Sequence, residues 1–248
     1  MSDTSSQSNG RHDYKAVQIG PKTLEIPGKW SVTSLEDVSS RYISGGTPDS
    51  KTVDYWGGNL PWTTAAAVEG PVFSGQKDFI TKRGLENSAS SIVPKGGVLF
   101  GTRVNVGNVG RTNKDIAISQ DLTGIIFDEN KVDPDFVVWY LILNQANIRD
   151  TYSQGSTIQG MLTDDLRSVP ILNPPLPEQR SIADILSTVD ELIQQTDAVI
   201  EKTEELKRGL MQDIFRPKVS GKLKSTKLGD IPKNWKLEAC RAVKWILF

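Results

Sequence analysis

After Pro177 no proline interrupts the chain until Pro217, and only one glycine, Gly209, falls between them. Within that stretch apolar residues or threonines recur every seventh position, at Ile182, Val189, Thr196, Thr203 and Leu210. A second row lies three residues on, at Ile185, Leu192, Val199 and Leu206, and a third, Leu186, Ile193, Ile200 and Ile214, widens the stripe. A seven-residue apolar repeat is the pattern of a helix that packs along its length against another helix. At 1.5 Å per residue the segment makes a rod of roughly 58 Å. Pro177 in the first turn and Arg216-Pro217 beyond the last supply its start and stop. No second helix of that length is apparent in the sequence. The expectation is therefore self-association through Ile182, Leu186, Val189, Ile193, Val199, Ile200, Leu206 and Leu210. The competing reading folds the far half of the rod back onto the chain's own globule.

The rest of the chain divides around this rod. Residues 1–18 are polar and read as a disordered tail. Residues 19–172 read as a mixed α/β domain, 173–216 as the long helix, and 217–248 as a basic linker with a further short segment. The fold class is thus α+β, a mixed α/β domain followed by one long coiled-coil-forming helix. Within the domain, Leu24–Asp37 holds a Pro-Gly turn, an anchoring Trp30 and a short helix after Thr33. "RYISGGTPDS" and "YWGGNLPW" read as loops, because paired glycines and prolines interrupt a ladder. Residues 96–130 read as three or four short strands with turns at Gly101, Asn108–Gly110 and Asn113-Lys114. Asp133-Pro134 then opens a helix to about Asp150, with Phe136, Trp139, Tyr140 and Leu143 available for burial.

Totals exclude several classes. A single cysteine, Cys240, rules out an internal disulfide framework. No apolar run approaches the ~20 residues that cross a bilayer, and no secretory signal opens the chain, so a cytoplasmic protein with no membrane partner is the expectation. Net charge is −1, but unevenly spread: residues 176–215 carry nine acids and four bases, whereas 216–227 carry five bases and no acid.

Motifs that promise chemistry fare poorly. Asn173-Pro174-Pro175 resembles the opening of an adenine-methyltransferase site, yet the fourth position is Leu176 where an aromatic would stack the extruded base. No Gly-rich loop of cofactor-binding type follows a strand, and no Walker loop exists. Glu129-Asn130-Lys131 lacks the acidic partner a metal nuclease needs, and the lone His12 lies in the tail. No catalytic residue, metal site or directly bound cofactor is expected. Three stretches carry groups suited to DNA. They are Gly45, Gly46, Thr47 and Lys51; then Arg103, Asn105, Asn108, Arg111 and Lys114; then Tyr152, Gln154, Ser156, Thr157 and Gln159. The bland alternative is that each is an ordinary solvated loop. Trp30, Trp56, Trp62 and Trp139 read as core anchors.

"IPGKWSV" at 26–32 recurs as "IPKNWKL" at 231–237, and the likeness fades after Leu237. Either a truncation or a shifted reading frame fits that ending. "IPGKWSVTSLEDV", "SGGTP", "YWGGNLPW" and above all "PPLPEQRSIADILSTVDELI" resemble the specificity subunit of type I restriction-modification systems, over roughly residues 20–237. Full-size members of that family carry two target-recognition domains, each followed by a long helix, the two helices packing antiparallel as a spacer. This chain resembles a half-size form. The resemblance implies a non-catalytic reader of a split double-stranded DNA target that docks methyltransferase subunits, which bring S-adenosylmethionine. It also implies a restriction and translocase subunit in the full complex. A homodimer reading an interrupted palindrome is the expectation. A stand-alone adenine methyltransferase and a coiled-coil adaptor without DNA readout remain as alternatives.

Overall fold

The computed structural model describes residues 13–19, 22–153, 160–215, 223–227, 229–233 and 236. They fall into two compact units, divided after Thr188. In the first unit β1 (Tyr14–Ile19) and β2 (Lys22–Pro27) form an antiparallel hairpin, followed by β3 (Ser31–Ser34), α1 (Leu35–Val38), β4 (Ser39–Ser44) and β5 (Trp56–Thr63). Next come β6 (Val72–Phe73), β7 (Asp78–Ile80), α2 (Lys82–Glu86), β8 (Ser91–Val93), β9 (Val98–Gly101), β10 (Val109–Thr112), β11 (Ile116–Ile118) and β12 (Leu122–Phe127). The unit continues with α3 (Pro134–Tyr152), α4 (Thr163–Ser168) and β13 (Pro170–Asn173), and ends in the first turns of α5 (Leu176–Phe215).

Two mixed sheets and two cores organise it. One sheet has the order β4-β12-β9-β10-β6, the other β7-β5-β11-β8, and β13 pairs antiparallel with β3. Strand alternation separates the cores, since successive side chains point to opposite faces. Val98 and Phe100 of β9 pack with Val137 and Leu141 of α3, whereas Leu99 between them packs with Ile116, Ile118 and Phe73. Local chemistry sets the helix starts. Ser34 and Asp37 close a reciprocal cap on α1, and Asp133 accepts from the amides of Asp135 and Phe136 at the start of α3.

The expected α+β class, four strands in 96–130 where three or four are expected, and the helix after Asp133 are present, but Gly101 and Val109-Gly110, expected in turns, lie in β9 and β10. Several boundaries differ. Residues 14–18, assigned above to a disordered tail, belong to β1: the polar run before them masks a strand whose backbone is satisfied along a six-residue register with β2. The two Gly/Pro-rich loops contain strands β4 and β5. Gly58 lies where a Cβ would collide with the Ile80 carbonyl, and Gly57 (φ 73°) accommodates an irregularity between Trp56 and Leu60, so these glycines bend β5 rather than end it. Asn173 belongs to β13 and α5 begins at Leu176. Leu143, expected inside, is 80% exposed, because α3 turns that position away from the sheet.

The second unit holds the remainder of α5 and a hairpin of β14 (Leu223–Thr226) and β15 (Gly229–Pro232). Its register repeats that of the first hairpin. Leu223 faces Pro232 and Lys224 faces Ile231, as Tyr14 faces Pro27 and Lys15 faces Ile26. The duplicated Ile-Pro step therefore stands at the same place in both hairpins.

Candidate functional site

Two surfaces carry the sequence expectations: a cleft at one end of the five-stranded sheet, and the stripe along α5. The cleft opens where β4 ends, β12 begins and β9 ends. Thr123 is registered on Ser44 and Leu122 on Gly101, which brings these three termini side by side. Its volume is ≈ 370 Å³, and its walls include Ser44, Gly45, Arg103, Gln120, Thr123 and Gly160. The wall therefore draws on residues from all three predicted stretches, the third (152–160) through Gly160, its last residue. Its described lining carries one cation, Arg103, and no carboxylate.

The predicted residues separate sharply by role. Arg103 and Asn105 are exposed, as is Val104 between them. Thr47 donates to Gln120 at 2.5 Å on the cleft rim, and Lys51 is exposed. Gly45 and Gly46 act as backbone spacers. Gly46 is buried, donates to the Ile118 carbonyl at 2.9 Å and accepts from the Trp62 indole at 3.3 Å. A Cβ on Gly45 would run into the Ser119 carbonyl. Asn108 is internally committed: its amide donates to the Val68 carbonyl at 2.9 Å and accepts from Gln145 at 2.8 Å. Arg111 reaches the Gly96 carbonyl and pairs with Asp135 at 2.5 Å, and Lys114 donates to Gln76 at 2.5 Å. Burial holds the Asp135 carboxyl above its ordinary range despite the opposing pull of Arg111. Gln154, Ser156, Thr157 and Gln159 lie outside the described residues. Of the four expected core anchors, Trp62 is buried and Trp56 and Trp139 pack half-buried against cores, whereas Trp30 joins no core cluster among the described residues; their indole N–H groups donate to the Gly46 carbonyl, the Asp49 carbonyl, Ser187 and Glu178 respectively.

The root of α5 was the residue set that pattern reading missed. Gln179 is fully buried. Its amide nitrogen donates to Asn173 Oδ1 at 2.7 Å and to the Pro174 carbonyl at 2.8 Å, and its oxygen accepts from the Asp133 amide at 2.8 Å. One neutral side chain thus ties the end of β13, the cap of α3 and the first turn of α5. Beside it, Glu178 pairs with Lys29 and accepts from Trp30 at 2.8 Å, and these two hold its carboxyl below the ordinary glutamate range. The Asn173 side chain is therefore tied to the helix root, and Asn173-Pro174-Pro175 serves as the lead-in to α5. Ile182, expected on the free stripe, instead packs half-buried against the domain core beside buried Ala183, because the helix is still in contact with α3 there.

Beyond the root the stripe is bare. Leu192, Val199, Ile200, Leu206 and Leu210 are each more than half exposed, Val189 nearly so, and Leu186 is 39% exposed. Thr196 and Thr203, which interrupt the first row, donate to the Leu192 and Val199 carbonyls at 2.7 Å. Their hydroxyls are satisfied within the helix, so the stripe presents only methyl groups there.

The sequence of residues 27–203 matches the model of the type I restriction modification DNA specificity domain. The chain belongs to that family. It is 27% identical over 234 residues to the MjaIX specificity subunit of Methanocaldococcus jannaschii, covering 91% of this chain and 53% of that protein. The HindI specificity subunit of Haemophilus influenzae is 24% identical over 154 residues, covering 60% of this chain and 33% of that one. Among solved structures, an HsdS subunit from Thermoanaerobacter tengcongensis aligns with a TM-score of 0.54 at 19% identity, covering 82% of this chain and 48% of its own. A chain from a structure of type I R-M complex assembly aligns at 0.59, with 22% identity and shares of 77% and 46%. These likenesses bear out the fold, a recognition-type domain followed by a long helix. The chain spans about half the length of the curated M. jannaschii relatives it matches.

Proposed function

We propose that this chain is a non-catalytic DNA-reading subunit that works as a homodimer. Each first unit reads one half of a bipartite duplex target. The observation that carries the reading is the exposed apolar stripe of α5: among the described residues no second helix of that length covers it. Apolar side chains so arranged lose roughly 25 cal/mol per Å² for every surface left in water.

Charge favours an antiparallel pair. Residues 176–197 carry five acids and one base, net −4, whereas 198–215 carry four acids and three bases, net −1. A parallel pair sets −4 beside −4; an antiparallel pair sets −4 beside −1 and near the basic stretch 216–227. Two-fold symmetry then demands an interrupted palindrome. The 40-residue helix, about 60 Å long, places the half-sites about one turn of B-DNA apart once docking angles are included. Methyltransferase subunits dock on this dimer and bring S-adenosylmethionine, which this chain does not bind; a restriction and translocase subunit joins the full complex, in the cytoplasm.

Methylome sequencing of cells expressing the chain with its methyltransferase partner tests the reading. A methylated interrupted palindrome is expected. Methylation at an asymmetric site rejects the homodimer. S-adenosylmethionine binding by the purified chain, measured by calorimetry, establishes an enzyme instead. A complex whose gel shift is absent at low salt is an adaptor.

A further inference from the structure

The loop between β9 and β10 exposes three side chains in succession, Arg103, Val104 and Asn105, between two buried ones, Thr102 and Val106. It is held from both sides. The Thr102 amide donates to the Asp121 carbonyl at 2.8 Å and its carbonyl accepts from Met161 at 2.7 Å. The Asn108 amide returns to the Asn105 carbonyl at 3.0 Å, and the Gly107 amide to the Gly101 carbonyl at 2.9 Å. Gly107 (φ 90°) is wedged against Gln145 so closely that no side chain fits there. Among the described residues, Asn105 is the one non-glycine with a positive φ, 54°. Arg103 and Asn105 have no protein partner for their end groups among the described residues, whereas neighbouring Asn108 and Arg111 are internally bonded.

We propose that this tip is the base-reading element of the domain, with Arg103 set for guanine, Asn105 for adenine and Val104 for a thymine methyl group in the major groove. The inference rests on the DNA-reading function proposed above and adds which atoms do the reading. Three features favour base edges over phosphates. A phosphate offers acceptors only, so the Asn105 carbonyl would have nothing to meet, whereas adenine N6 and N7 match both ends of an amide. A 49% exposed valine between two polar residues gains nothing from a phosphate but matches a methyl group. The loop is also fixed before binding by backbone bonds, which lowers the ordering cost that a floppy phosphate clamp would pay. Asparagine tolerates the left-handed conformation better than most residues, and unlike glycine it keeps an amide there.

The test is selection from a randomised duplex library by the full chain bound to its methyltransferase subunits, with wild type, Asn105→Gly and Arg103→Lys in parallel. Glycine accepts the φ of 54° without strain, so Asn105→Gly keeps the loop and removes only the amide; an unchanged melting temperature checks this. The expected result is that wild type enriches a motif and Asn105→Gly loses discrimination at one A·T pair by roughly ten- to a hundred-fold. Arg103→Lys keeps the charge and relaxes one G·C position by a similar factor. An enriched motif that both variants leave unaltered overturns the tip. An Arg103→Lys variant with the wild-type motif assigns Arg103 to phosphate and overturns its role as a reader. A wild-type complex that binds the library but enriches no sequence rejects the recognition function itself, a different result from either of these.

Discussion

One helix, α5, lives in two environments. Its first turns are fixed by a buried glutamine, a glutamate gripped by Lys29 and Trp30, and a buried alanine. Its later turns carry the same seven-residue rhythm, with its apolar side chains exposed among the described residues. The rhythm alone does not distinguish the two. What does is the polar chemistry at the root, which lets Ile182 be covered by its own domain while Leu206 waits for another surface. Apolar periodicity thus states that a face will be buried, and the hydrogen-bonding residues beside it state by what.

Substitutions can break either half separately. The largest effect is expected from Leu192→Ala with Leu206→Ala. Each truncated leucine that is buried in a dimer costs ~2–5 kcal/mol, so the pair weakens self-association by at least on the order of a thousand-fold. Alanine keeps the helix, and the melting of the first unit should not move. Sedimentation showing an undiminished dimer contradicts pairing through the stripe.

Gln179→Leu should act oppositely. It strands the Asp133 amide and the Asn173 oxygen inside the domain, at a cost of about 2–4 kcal/mol of folding stability. Denaturant melts would show it, whereas the dissociation constant of the folded fraction should hold. Gly209→Ala is smaller and sharper. No atom lies within 4 Å of the position a Cβ would take, so alanine should gain ~1 kcal/mol of helix stability in an isolated chain. If the dimer instead loosens by sedimentation, the partner backbone approaches at Gly209.

The smallest effect is expected at Glu178. Its carboxyl titrates below the ordinary value of 4.5, so its contribution is present above that value and disappears as pH falls through the lower, folded one. Glu178→Gln should flatten the acid limb of melting temperature against pH and leave neutral pH nearly unchanged, since the pair is solvent-screened.

These contrasts also show what was legible in the sequence. The rod, the capped α3 and the existence of strands in 96–130 declare themselves because their signals are local: a heptad, an N-cap, short apolar runs. Strand β5 does not, because its glycines answer to the Ile80 carbonyl, a contact remote in sequence. The same distance misled the reading of polar residues. Asn108 and Arg111 look like free DNA ligands beside their neighbours, yet their partners lie 37 and 24 positions away. Nothing local in the sequence separates Arg103 and Asn105, which are exposed, from those two. Gln179 was passed over entirely, as a polar residue in a helical pattern normally faces water.

The neutrality of Gln179 has its own consequence. Phosphate-directed grip weakens steeply as ions accumulate, because counterions compete for each contact. An uncharged amide sealed away from solvent offers those ions no target. If the chain reads DNA as proposed, a rise in salt strips it from its duplex while the angle between α3 and the base of α5 stays set, and the released protein is already in shape for its next encounter.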